Sequence, residues 1–216
     1  MTRLADLPGQ DTVVRLLARN AVLHQATGAQ MQELLPLLEV AECRKGEPLL
    51  LQGAEDMEQY FVLEGVVKRV VSNPMGKEMI LRFTRAGDIE TSWAAWRLKT
   101  PAPYSIVAVT RARVVKLALP LWAEFLSRHP ALHEAFELEV MHLMSDILGH
   151  IITLHLLDAP GRVLRFLRKK PEFVELVPKK ELAAYLNLSA ETLSRLQSRG
   201  KVQLRQAGPG RQAKPP

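Results

Sequence analysis

The stretch Lys180–Leu196, KELAAYLNLSAETLSRL, holds the residues best placed to do chemistry. Glu191, Ser194 and Arg195 fall on one exposed face at the start of a helix. Arg can take guanine O6 and N7 bidentately, and Glu can accept from cytosine N4. Lys179, Lys180, Ser189 and Thr192 flank them, and ammonium and hydroxyl groups there reach phosphates and set register. A plain helical hairpin with a Glu191–Arg195 pair at i,i+4 fits the same residues. Charge favours nucleic acid. Residues 160–216 carry thirteen Lys/Arg against four Asp/Glu, while residues 1–159 carry sixteen against nineteen. A basic segment on a slightly acidic body is the footprint of a nucleic-acid binder.

Other chemistry is thinly represented. There is no nucleophile–base constellation, no HExxH spacing and no phosphate-binding glycine loop, so an enzyme is not expected. Glu124, His129 and His133 lie close in sequence but beside a helix start, and are expected to be solvated. The single cysteine, Cys43, excludes an intrachain disulfide and an iron–sulfur cluster built from several local cysteines; it reads as a small apolar filler. Six histidines, at 24, 129, 133, 142, 150 and 155, keep haem open as an alternative, with surface histidines the first expectation.

These residues need elements to position them. Pro178–Leu186 reads as a helix, Asn187-Leu188 as a tight turn, and Ser189 as the cap of a second helix. Leu182, Ala183, Leu186, Leu193 and Leu196 face inward, and Ala184 allows close helix approach. Together they predict a helix-turn-helix whose second helix enters the major groove. Arg162–Leu167 is a short helix and Glu172–Val177 is compatible with a strand. Gly200–Leu204 reads as turn plus strand, a single-stranded wing, and residues 207–216 as a disordered tail. Asp158-Ala159-Pro160-Gly161 is a hinge.

Upstream, residues 131–157 form one long helix. Phe136, Val140, Leu143, Ile147, His150 and Leu154 recur at alternating spacings of four and three, a heptad seam that predicts a parallel homodimer. A second stripe, Leu138, Met141, Met144, Leu148 and Ile151, is expected to pack back on the rest of the chain. From 43 to 119, short β-rich runs alternate with Gly46, Gly53, Gly65, Gly76 and Gly87, the pattern of an antiparallel barrel or sandwich. Asn73–Gly76 is a candidate hairpin turn. Residues 20–42 read as two short helical pieces broken at Pro36.

The chain has 216 residues, 47% of them hydrophobic, and a net charge of +6. Its longest apolar run, Ile147–Leu157, is interrupted by Gly149, His150 and His155, so no membrane span is expected. The start of the chain does not read as a signal peptide, and the cytoplasm is the expected compartment.

With these elements in this order, the sequence resembles the catabolite activator/fumarate–nitrate regulator (CRP/FNR) family along almost its whole length. The matching strings are Gln52-Gly53, Phe61–Gly65, Gly76–Leu81, Gly87-Asp88 and Glu191–Arg195. The resemblance implies an α+β fold. A cyclic-nucleotide-binding-like β-roll (jelly roll) with N-terminal helices would span 1–125, a dimerisation helix 126–158 and a winged helix-turn-helix 159–206. It also implies duplex DNA, a second copy and RNA polymerase as partners. Glu191, Ser194 and Arg195 match the Glu-x-x-Ser-Arg pattern of the fumarate–nitrate branch, which implies a TTGAT-like half-site in an inverted repeat. The chain also departs from the family. Cyclic-nucleotide binders hold the phosphate with an arginine after the Gly-Asp, and none stands at Pro103-Tyr104-Ser105, so cAMP is not the expected effector. The candidate effector pocket is Glu90, Ser92, Trp93 and Tyr104. The recognition helix reads as one turn short. The rival to a DNA-binding regulator is therefore a ligand-binding sensor module with weakened or lost DNA binding; a haem-based gas sensor is the alternative effector reading.

Overall fold

The computed structural model describes residues 2–4 and 9–206, with residues 2 and 199–206 described by backbone alone. The chain divides into two compact units, residues 1–150 and 151–216.

The first unit is a roll of two antiparallel sheets. Numbered in chain order, the strands are β1 (Thr2–Arg3), β2 (Glu39–Cys43), β3 (Pro48–Leu50), β4 (Glu58–Glu64), β5 (Val66–Ser72), β6 (Glu78–Arg85), β7 (Ile89–Thr91), β8 (Ser105–Ala108) and β9 (Ala112–Ala118). One sheet runs β1-β2-β9-β4-β7 and the other β3-β8-β5-β6. Two turns fix the register. Gly65, between β4 and β5, has φ 78°, and a Cβ there would sit 2.2 Å from the Arg111 carbonyl oxygen, so only glycine fits. At Asn73–Gly76 the Asn73 side-chain oxygen accepts from the backbone N–H of Met75 (3.0 Å) and Lys77 (2.9 Å), closing the expected β5–β6 hairpin. That hairpin sets Arg69 directly opposite Arg82.

The helices of this unit are α1 (Gln10–Leu17), α2 (Gly28–Leu34), α3 (Trp93–Arg97), α4 (Leu119–Arg128) and most of α5 (Pro130–Leu156). The break at Pro36 holds: α2, held by a Thr27–Gln30 capping box, gives way to a 3-10 turn over Leu35–Leu37. The end of the 20–42 reading does not hold, because Glu39–Cys43 is strand β2, paired with β9. The pairing runs unbroken from Glu39 opposite Lys116 to Cys43 opposite Ala112, so ladder bonds to β9 define the strand.

The apolar stripes of α5 exchange their expected roles. Phe136, Leu143, Ile147 and His150, assigned to the dimer seam, are buried within the single chain, and Val140 and Leu154 are half-buried. Leu138, Met141, Met144 and Leu148, expected to pack inward, are exposed, with Ile151 half-buried. Aromatic packing decides this. Phe136 meets Trp93 and Trp122 edge-to-face, with centroids 5.1 and 5.4 Å apart, and that contact fixes the rotation of the helix.

The second unit is helical. It contains α6 (Ala159–Lys169), α7 (Phe173–Leu176), α8 (Lys179–Tyr185) and α9 (Ala190–Gln206). Two expectations fail here. Glu172–Val177 holds a helical turn, not a strand; strand alternation would align Glu175 with the buried Phe173 and Val177. Residues 200–204 are not turn plus strand, because α9 continues through Gly200 to Gln206. No proline or turn pair follows Gly200 until Gly208-Pro209, and a single glycine costs a helix only about 1 kcal/mol. The helix expected to read DNA is therefore longer than expected, and no wing strand exists among the described residues. The expected tail, 207–216, lies outside them.

Candidate nucleic-acid interface and roll interior

The segment expected to form a helix-turn-helix packs against a third helix. From α6 come Val163, Phe166 and Leu167; from α8, Leu182, Ala183 and Tyr185; and from α9, Leu193, all buried. Phe166 and Tyr185 meet edge-to-face at 5.9 Å. Ala183 carries the close approach, while Ala184 faces out, and Gln197 is buried beside the half-buried Leu196. The turn after α8 uses Asn187 at φ 53°, a left-handed position that asparagine tolerates. Ser189 caps α9. Its hydroxyl accepts from the Thr192 N–H (3.1 Å) and donates to the Thr192 hydroxyl (2.9 Å).

That frame brings the expected base-reading residues together. Glu191, Ser194 and Arg195 are exposed on the first two turns of α9, and Glu191 and Arg195 make no ion pair among the described residues. Lys179, Lys180 and Ser189 are exposed and Thr192 is half-buried. The Ser189 and Thr192 hydroxyls are engaged with one another. A residue not singled out from sequence locks the turn. Arg162 donates to the carbonyls of Leu157 (2.9 Å), Leu186 (3.0 Å) and Asn187 (3.4 Å). It fastens the start of α6 to the loop that launches α9.

Inside the roll, Glu90, Ser92, Trp93 and Tyr104 are all buried. Trp93 belongs to the aromatic cluster with Trp96 and Phe136. Glu90 is engaged from both sides: Arg69 donates to Oε1 through Nε (2.8 Å) and Nη2, and the Thr84 hydroxyl donates to Oε2 (2.7 Å). Arg69 also donates to the Thr91 carbonyl (2.9 Å), and its guanidinium lies 4.1 Å from the centre of the Tyr104 ring. The Tyr104 hydroxyl donates to the same Thr91 carbonyl (2.8 Å). Arg82 approaches Glu90 Oε2 at 3.7 Å. Burial works against a charged Glu90, but Arg69, Arg82 and the Thr84 hydroxyl together outweigh it and hold the carboxyl below its ordinary value. Burial pushes the Tyr104 phenol up.

Sequence reasoning missed both arginines, searching for a cation only after Gly87-Asp88. The signal was present: Arg82 interrupts the apolar run Ile80-Leu81-Arg82-Phe83, and Glu90 stands alone in Ile89-Glu90-Thr91. Opposite charges inside apolar strands mark a buried pair. Cys43 is buried beside a cavity of about 560 Å³ that Glu58, Arg113 and Lys116 also line, and burial pushes its thiol pKa up. Histidines 24, 129, 133 and 142 have local partners: the Asn20 carbonyl, Glu33, Glu137 and Glu139. Among the described residues no group of three His, Cys, Asp or Glu side chains is placed to hold a metal, and no helix is long and apolar enough to cross a membrane.

Residues 40–129 match the cyclic nucleotide-binding domain. The match covers the roll from β2 through α4, so the buried Arg69–Glu90–Arg82 group lies in the interior of that domain. Solved structures extend the likeness of fold. FixK2 from Bradyrhizobium japonicum superposes with a TM-score of 0.67 at 18% identity, over 77% of this chain and 85% of that one. A mutant of CooA from Carboxydothermus hydrogenoformans gives 0.66 at 19%, over 85% of each chain. CLP of Xanthomonas campestris, a c-di-GMP-responsive global regulator, gives 0.64 at 16%, over 82% of this chain and 93% of that one. These neighbours are CRP/FNR-family regulators. No curated protein matches the sequence. At such identities the fold is what is shared.

Proposed function

We propose that this chain is a sequence-specific DNA-binding transcription regulator acting as a homodimer. The observation that carries it is the exposure of Glu191, Ser194 and Arg195 together at the start of α9, while Leu193 and Gln197 anchor the helix from behind. A helix so mounted presents its N-terminal residues to base edges, and the local surplus of Lys and Arg supplies the phosphate attraction. By its Glu-x-x-Ser-Arg pattern it reads a TTGAT-like half-site in an inverted repeat.

The second copy is met by the exposed stripe of α5, Leu138, Met141, Leu148 and Ile152, which nothing in the single chain covers. RNA polymerase is the further partner. Glu90 is already held by Arg69 and Thr84, which speaks against its taking a ribose, so cAMP is not the effector in this reading.

A gel shift on an inverted TTGAT repeat tests the reading. Retardation is expected, weakening steeply as salt rises. Arg195→Ala is expected to cost about 1–3 kcal/mol of binding and to relax the preference at one base pair. Absence of a shift at low salt, with Arg195→Ala indistinguishable from the unaltered protein, overturns it in favour of a sensor module without DNA function.

A further inference from the structure

The roll interior holds two guanidinium groups and one carboxylate. Arg69 and Arg82 face each other across the β5–β6 ladder, both almost wholly buried, and Glu90 lies between them. Glu90 is spent on Arg69 and the Thr84 hydroxyl. Arg82 is left over. Its Nε is 3.7 Å from Glu90 Oε2, too long for a hydrogen bond, and its Nε and Nη1 are buried without a hydrogen-bond partner. Such an arginine cannot relieve the deficit by losing its proton, because a guanidinium stays charged. The cluster therefore carries one uncompensated positive charge in a place where unpaired charge is costly.

From this we infer that Arg82 is the anchor of a binding site for a small oxyanion, a carboxylate or inorganic anion of a few heavy atoms. An anionic oxygen supplies both the charge and the acceptor that Arg82 lacks. A small anion is favoured over a nucleotide because Arg69, over the Tyr104 ring, and Glu90, between the two arginines, already stand in that interior. The cation comes from strand β6, not from the stretch after Gly87-Asp88 in which cyclic-nucleotide binders place theirs. The site lies wholly within the roll, so its fate is independent of whether α9 reads DNA.

The test is calorimetric titration and thermal melting of the full chain with formate, acetate, nitrate and phosphate, each at matched ionic strength, with cAMP as comparator. At least one of the four is expected to bind saturably near one per chain and raise the melting temperature, while cAMP gives no saturable signal. Arg82→Gln is expected to weaken that binding at least tenfold. Should Arg82→Gln fail to fold, Arg82→Lys, which keeps the charge but loses the planar fork, makes the same comparison with a smaller loss. Saturable binding of carboxylates alone would assign an organic effector, and of nitrate or phosphate alone an inorganic one. The proposal is overturned if none of the four binds, or if those that bind do so equally to the Arg82 variant.

Discussion

Glu90 holds the buried Arg69 guanidinium in place and faces that of Arg82, and its removal has a signed consequence. Replacing one partner of a buried ion pair leaves charge uncompensated, so Glu90→Gln is expected to destabilise the roll by about 3–5 kcal/mol in urea melts at neutral pH. The pH dependence follows from the direction of its shift. The folded carboxyl titrates below its ordinary value of 4.5, so the stabilisation is complete above that value and is lost as pH falls through the lower folded one. Melts from pH 7 to 3 should show an acid limb that Glu90→Gln flattens. The sequence shows Glu90 as a candidate pocket residue, and the structure keeps it in the interior. Its partners were not legible, because β5 and β6 pair Arg69 with Arg82 through register, and register depends on where a hairpin closes and where a strand bulges. The motif Glu191-x-x-Ser194-Arg195 was legible because helical spacing alone puts those side chains on one face.

At the scale of elements, α9 and α5 illustrate what periodicity resolves. The start of α9 is set by a local rule, Ser189 as cap, and the prediction stays local: Ser189→Ala is expected to cost about 1 kcal/mol of thermal stability and to loosen the first turn, visible as faster amide exchange at Thr192. Its end was misread because Gly200 resembles a stop, while the residues after it are helix formers. For α5, sequence gives the length almost to the residue and misassigns the faces. Both stripes are apolar at heptad spacing, and only the packing of Phe136 on Trp93 and Trp122 distinguishes them. Substitution separates them in solution. Leu148→Glu, on the exposed stripe, is expected to leave melting nearly unchanged and to convert dimer to monomer in analytical ultracentrifugation. Ile147→Ala, one residue away but buried, is expected to cost about 2–5 kcal/mol of stability while leaving association intact. The heptad read from sequence alone requires the reverse.

Across the whole molecule, a β-rich roll followed by a long helix and a basic helical unit was legible from glycine spacing, from a sustained apolar repeat and from the jump in charge past residue 160. Those are properties of segments, and each survives an error of a few residues. What the sequence left hidden was pairwise: which strand is β2's neighbour, which stripe is covered, which cation meets which anion. The uncovered stripe of α5 also has a bearing on dosage. On the proposed homodimer, each chain carries one recognition helix and the assembled operator complex needs two, so while free chains predominate, the DNA-competent species grows with the square of their number. A modest change in synthesis or turnover of the protein would then be amplified at its promoters without any effector at all.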